Sequence, residues 1–233
     1  MKLVRNLNLL KFGTSCLLIV ILLPTLILSI GCGSNKVIMT SEIPSDFTTY
    51  QSNSHLFSIS YPKDWDSNLL LKENDVTIAE NNVINAINSG TPINNRQDLL
   101  YVKNSSIPSP SINVFVISVP VTEWKYEKVV EAYINNIHYY DNTSNYSLIS
   151  QVKTVIGGRS ATILDLVITQ NSQFRMDTTE TNIGPGPVAV HCLRLLVPIA
   201  KTVWVVDCRT TPDYFEQWQK DFNIMLKSLR VYE

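Results

Sequence analysis

Apolar and polar positions along this chain of 233 residues follow two different periods. Between Leu56 and Tyr61, Phe57, Ile59 and Tyr61 alternate with Ser58 and Ser60, the period of a strand with one buried face. Pro62 stops it, and Lys63-Asp64-Trp65 turns. Val76 and Ile78 suggest a second, weaker strand. Asn81 to Pro110, rich in Asn, Ser and Pro, reads as a long surface excursion with a short strand near Leu99 to Val102. Ile112 to Val119 is apolar on both faces, which predicts an interior strand closed by Pro120. Thr122 then offers a hydroxyl cap with Glu123 behind it. Val129, Val130, Tyr133, Ile134 and Ile137 recur at spacings of three and four, predicting a helix of about four turns.

Hairpin signals dominate the second half. Ser147 to Val155 and Ser160 to Thr169 flank Gly157-Gly158, whose tolerance of positive φ suits a two-residue turn. Val188 to Val197 and Val203 to Arg209 form a second pair, with Pro198 to Lys201 as the turn. Thr211, Pro212 and Asp213 open a terminal helix that carries Phe215, Trp218, Phe222, Met225 and Leu229 down one side. Hairpins mean antiparallel pairing, so the fold class is α+β, an antiparallel sheet sandwiched by helices.

The first 31 residues stand apart from this pattern. Lys2, Arg5 and Lys11 precede an uncharged apolar run from Cys16 to Ile30 that ends in Gly31-Cys32. A basic end followed by an apolar run and small residues has the form of an export signal. An uncleaved membrane anchor is the alternative, but the run contains Pro24 and falls short of the roughly 20 residues that span a bilayer. Leu28-Ser29-Ile30-Gly31-Cys32 resembles the lipobox of bacterial lipoprotein precursors, although Ser29 and Ile30 depart from its commonest form. The resemblance implies that Cys32 is lipidated and becomes the first mature residue. The expected organisation is a signal peptide at 1–31, a flexible tether at 32–54 and one domain at 55–233. It places the protein outside the cytoplasmic membrane, or in the periplasm or on an outer membrane where a second membrane exists.

Charge narrows the function classes. The chain has 19 Lys+Arg and 20 Asp+Glu; removing the three basic residues of the leader leaves 16 against 20, a net −4, which argues against nucleic acid as a partner. Of the four cysteines, Cys16 leaves with the leader and Cys32 takes the lipid. Cys192 and Cys208 remain for an oxidising setting where disulfides persist. Were they opposed across the second hairpin, Arg194 would face Val206, Leu196 would face Trp204, His191 would face Arg209, and the turn would centre on Ala200. A disulfide is the expectation, with two free buried thiols as the alternative. No Cys-x-x-Cys pair points to redox chemistry.

Phe57-Ser58-Ile59-Ser60-Tyr61-Pro62-Lys63-Asp64-Trp65 resembles the opening strand of the PsbP-like family, named for an extrinsic subunit of the photosystem II oxygen-evolving complex. Gly157-Gly158-Arg159-Ser160-Ala161 is similar to that family's hairpin turn, and Trp218, Phe222, Leu226 and Ser228-Leu229-Arg230-Val231 to its terminal helix and end. The resemblance covers about residues 55 to 232. It implies an α/β/α sandwich shared with a Ran-binding nuclear import factor and with bacterial lipoproteins, a docking or assembly role with a protein partner, and no catalytic residues to carry over.

Candidate chemistry is sparse. His138 and Asp141 form the one close nitrogen and oxygen pair, at a helix end where solvation accounts for them. Asp165 interrupts an apolar strand on the face of Ile163 and Val167; it is a candidate acid or base, or a hydrogen-bonded structural carboxylate. His55, with Ser58 and Ser60 nearby, lacks a carboxylate in a triad order. Gly184-Pro185-Gly186-Pro187 is too proline-rich to cradle phosphate, and no cofactor motif is present. Tyr133, Tyr139 and Tyr140 read as an aromatic patch or as packing under a helix. The expected function is a non-catalytic docking module anchored to the membrane through Cys32. A carrier of a small apolar ligand is the alternative, and a hydrolase a remote one.

Overall fold

The computed structural model describes residues 42–66, 71–105, 109–141, 143–170 and 187–232. Cys32, the leader and Gly184-Pro185-Gly186 lie outside them. Two antiparallel sheets organise the domain. The larger runs in the order β3-β4-β8-β7-β6-β5, from β3 (Gln97–Lys103), β4 (Ser111–Ile117), β5 (Thr143–Ile156), β6 (Arg159–Gln170), β7 (Val188–Ile199) and β8 (Thr202–Thr210). The smaller sheet joins β1 (Phe47–Gln51), β2 (Phe57–Pro62) and the two-residue β9 (Arg230–Val231). Among the described residues the α-helices are α1 (Glu73–Ser89), α2 (Tyr126–Asn135), α3 (Ile137–Tyr140) and α4 (Phe215–Ser228).

Each face of the large sheet carries its own core, because side chains alternate across a strand. One face packs Ile112, Val114, Leu195, Trp204 and Val206 against α1, α4 and the small sheet, with Phe57, Ile59, Phe222 and Met225 filling between. The other packs Phe115, Leu164, Leu166, Leu196 and Val205 under α2 and α3, with Val129, Val130, Tyr133 and Ile137 facing down. The central strands are apolar on both sides for this reason, and the α+β sandwich is the fold observed.

Several local expectations are corrected. The domain begins before residue 55: β1 lies inside the stretch read as tether and pairs along β2 from Phe47 opposite Pro62 to Gln51 opposite Ser58. Val76 and Ile78 belong to helix α1, whose buried stripe is Ala79, Glu80, Val83 and Ala86. Its apolar period rests on small alanines, so only Val76 and Ile78 stood out, and Ile78 faces solvent. The rest of α1 and all of β3 occupy the supposed excursion. The helix expected from Thr122 starts at Tyr126 and breaks at Asn136.

The second hairpin is shifted by one position from the cysteine-opposed register. Leu193 faces Cys208, Cys192 faces Arg209, Arg194 faces Asp207 and His191 faces Thr210. A shift of one sends a side chain to the opposite face. Cys208 therefore lies in the core beneath α4, Cys192 in the core beneath α2, and both are free thiols. The predicted disulfide is not formed. Its turn is Ala200-Lys201, with Ala200 at φ 50°. In the first hairpin Gly157 and Gly158 take φ 57° and 81°, as that turn requires.

Candidate functional site

Beneath α2, the hairpin brings together four charges that no local motif announces. Arg194 on β7 donates from Nε to Asp207 Oδ1 at 3.0 Å, and from Nη1 and Nη2 to Asp141 at 2.7 and 3.0 Å. Its Nη1 also donates to the Tyr133 hydroxyl at 2.9 Å. Arg209 on β8 donates from Nη2 to Asp141 Oδ1 at 2.8 Å and from Nε to Asp207 Oδ2. Side chains of Arg194, Asp141 and Asp207 are wholly buried. Two arginines against two aspartates leave no net charge, and bidentate pairing meets the cost of taking ions out of water.

Burial pushes the Asp207 carboxyl up, but the two guanidinium groups outweigh it and hold that carboxyl at about 2. Tyr133 is driven well above its ordinary value by burial, so its hydroxyl stays neutral. Asp141 follows α3 directly, and the network thereby clamps α2 and α3 to the sheet. The solvated helix end foreseen for Asp141 is corrected, whereas His138 does face water.

The clamp positions α2 beside β5. Glu127 in its first turn accepts from Lys153 Nζ of β5 at 3.2 Å, and the Tyr126 ring lies 5.7 Å from the same ammonium. Among the described residues β5 has β6 on one side and no strand on the other. Apart from the contact of Lys153 with α2, its central residues are open to water: residues 147–153 are all exposed. Ile149, Val152 and Val155 expose 56%, 54% and 62% of their surface, more than isolated surface apolars would need to. Lys153 is the one charged residue in the strand, and no proline interrupts it. A bulge between Leu148 and Ser150 is the sole break in its central run. Strand edges are ordinarily blunted by charge, proline or brevity, and this one is 14 residues long with a single charge and no proline. This edge is the candidate site.

A second feature is an open cleft of about 550 Å³ between α1 and the β1–β2 turn, walled by Leu56, Ile84, Ile87, His55, Ser54 and Tyr232. His55 sits there at φ 57°, and Ser52 Oγ accepts from Leu56 N at 2.8 Å to hold the turn. One helical turn before Ile84, the buried Glu80 accepts from Ser54 N at 3.2 Å through Oε2, while Oε1 has no protein partner.

The remaining candidates form local structural contacts. Asp165 accepts from or donates to His191 Nε2 at 2.6 Å, and that ring stacks on Phe215 at 3.4 Å, which is the hydrogen-bonded structural arrangement. The three tyrosines do meet: Tyr140 stacks on the buried Tyr133 of α2 at 5.3 Å between ring centroids and meets Tyr139 edge-on at 5.7 Å, and Tyr139 alone is largely exposed, so the group is mainly packing at the end of α2. Among the described residues no group of three or more His, Cys, Asp or Glu side chains could hold a metal ion, and no helix is long and apolar enough to cross a membrane.

No family model and no curated protein matches the sequence. Solved structures do. PsbP from Synechocystis sp. PCC 6803 superposes with a TM-score of 0.51 at 11% identity, over 81% of this chain and 94% of that one. The fold is PsbP-like. Weaker likenesses, each with a TM-score of 0.45, are LpqN of Mycobacterium tuberculosis, involved in cell envelope biogenesis, and the Ran-binding protein Mog1p of Saccharomyces cerevisiae. LpqN is 11% identical over 80% of this chain and 91% of that one; Mog1p is 10% identical over 79% and 95%. The match to PsbP supports the sandwich that the opening and closing motifs implied, and it carries no substrate or partner with it.

Proposed function

We propose that this chain is a non-catalytic docking module, held outside the cytoplasmic membrane by a lipid on Cys32, that takes up a partner's extended segment along β5. The observation that carries the reading is the apolar edge of that strand, which no other described strand covers. Main-chain donors and acceptors on the open side give affinity to an added strand, and the alternating side chains give selectivity. The buried Arg194 and Asp207 network supports this role by fixing α2, and with it Glu127, against the sheet that ends in β5.

The cleft supports a second reading, carriage of a small ligand. Its volume falls within the range of ligand pockets, and its walls are mostly apolar with a few polar groups. The buried, half-paired Glu80 beside it would favour a ligand with a hydrogen-bond donor at one end.

A photo-reactive residue placed at Val152 in living cells tests the first reading. Adduct formation is expected at Val152 and not at Thr77 on the exposed side of α1. Absence of any adduct at Val152 would overturn docking along β5, and a small molecule co-purifying with the wild-type chain but not with an Ile84→Trp variant would favour carriage. The anchor is read separately. Cys32→Ser is expected to move the protein from the membrane pellet to the supernatant, and retention in the pellet would remove the lipid from the proposal.

A further inference from the structure

Resting on the docking reading, we infer that the partner taken up by β5 is a second copy of this chain, paired antiparallel about a two-fold axis through Val152. The argument lies in the order of residues along the edge. Ile149-Ser150-Gln151-Val152-Lys153-Thr154-Val155 reads with nearly the same chemistry in both directions. An isologous contact demands this, because each residue must suit the one the symmetry places opposite it.

In that register Val152 meets its own copy, Ile149 meets Val155, Ser150 meets Thr154 and Gln151 meets Lys153. β-Branched residues oppose β-branched ones, hydroxyls oppose hydroxyls, and no lysine faces a lysine directly. Residues that meet are both odd or both even in number. Backbone groups pointing outward from one edge therefore meet groups pointing outward from the other, as an antiparallel ladder requires. Gln151 pairs with Leu164 on the α2 face of the sheet and Val152 with Ile163 on the opposite face, so Gln151, Lys153 and Val155 share one face of the seam while Val152 shares the other with Ser150 and Thr154. Ile149 is itself the extra residue of the β5–β6 bulge, since Leu148 pairs with Leu166 and Ser150 with Asp165, so regular pairing ends at this position.

Charge fits as well. Each Lys153 arrives with its own Glu127 at 3.2 Å, so the two lysines, diagonal neighbours across the axis, come as two neutral pairs. The outcome is one continuous sheet through two copies, with both free apolar edges consumed.

Cysteine cross-linking of the full-length lipidated chain in its membrane tests the register. Val152→Cys is expected to give an oxidant-dependent dimer, since directly opposed residues sit about 4.5 to 5.5 Å apart at Cα, within reach of a disulfide. Val155→Cys alone is expected to give none, while co-expressed Ile149→Cys and Val155→Cys chains give the mixed dimer. Adding Ile149→Lys to Val152→Cys is expected to abolish the dimer band. A Val152→Cys thiol that is open to alkylation yet stays monomeric on oxidation would overturn the inference, as would cross-linking by Val155→Cys to the same extent. Should the photo-reactive Val152 capture a different protein with no homodimer, self-pairing falls while docking along β5 stands.

Discussion

Arg194 and Asp207 stand directly opposite each other across β7 and β8, joined Nε to Oδ1 at 3.0 Å with neither side chain reaching water. The pair sets the hairpin register, because sliding by one position would send the two charges to opposite faces of the sheet and into separate apolar cores. It also ties β7 and β8 to α2 through Tyr133 and to the end of α3 through Asp141.

Truncating Arg194 tests this clamp. Arg194→Met leaves Asp141 and Asp207 facing a single arginine in a dry interior, and removing one partner of such a pair costs about 3–5 kcal/mol. Urea unfolding followed by circular dichroism should show a midpoint lowered accordingly. A change near zero would mean that the charges are not mutually dependent.

Acid should weaken the same network in a defined window. The Asp207 carboxyl lies at about 2 in the folded chain, below the unfolded carboxylate value of about 3.9. Its contribution, roughly 2–3 kcal/mol, is thus present above the unfolded value and is lost progressively as pH falls from about 5 through ~2. Unfolding free energies measured from pH 6 down to pH 2 should fall more steeply for the wild type than for Asp207→Asn, and equal slopes would contradict the assignment.

Cys192 and Cys208 should behave as two independent buried thiols. Burial drives both well above the ordinary thiol range and leaves them unreactive in the native fold. Intact mass after iodoacetamide should show neither of them alkylated natively, and both alkylated in denaturant without any reductant. Dependence on reductant would reveal a disulfide and require a different register for the β7–β8 pair.

The turn at Ala200 holds a methyl-bearing residue at φ 50°, where glycine has no steric penalty. Ala200→Gly should raise stability by about 0.5–1 kcal/mol, and a thermal melt would show it as a shift of a few degrees. A lower melting temperature would indicate that chain entropy outweighs the relieved strain.

Much of the scaffold was legible from residue patterns. The Phe57 to Tyr61 alternation, the Gly157-Gly158 turn, the double-faced Ile112 strand and the Phe215 to Leu229 stripe each depend on local spacing or on a residue with few conformational choices. Helix α1 was missed because alanines and asparagines hide a 3.6 period, and β1 because Thr48 and Thr49 look like tether. The cysteines misdirected the register, although better markers stood one or two residues away: Arg194 within Cys192 to Val197 and Asp207 within Val203 to Cys208 are lone charges in apolar strands, and each needs the other.

The order of the main elements from β4 to α4, their antiparallel pairing and the charge that disfavours nucleic acid were decided by the sequence alone, since they rest on periodicity, turn chemistry and composition. Tertiary structure decided which residues meet. That Asp141 turns inward to two arginines, that β5 is left at an edge, and that its near-palindrome lies open to water depend on which strand neighbours which and on what covers it. These are long-range outcomes of packing two cores at once, and no local spacing encodes them.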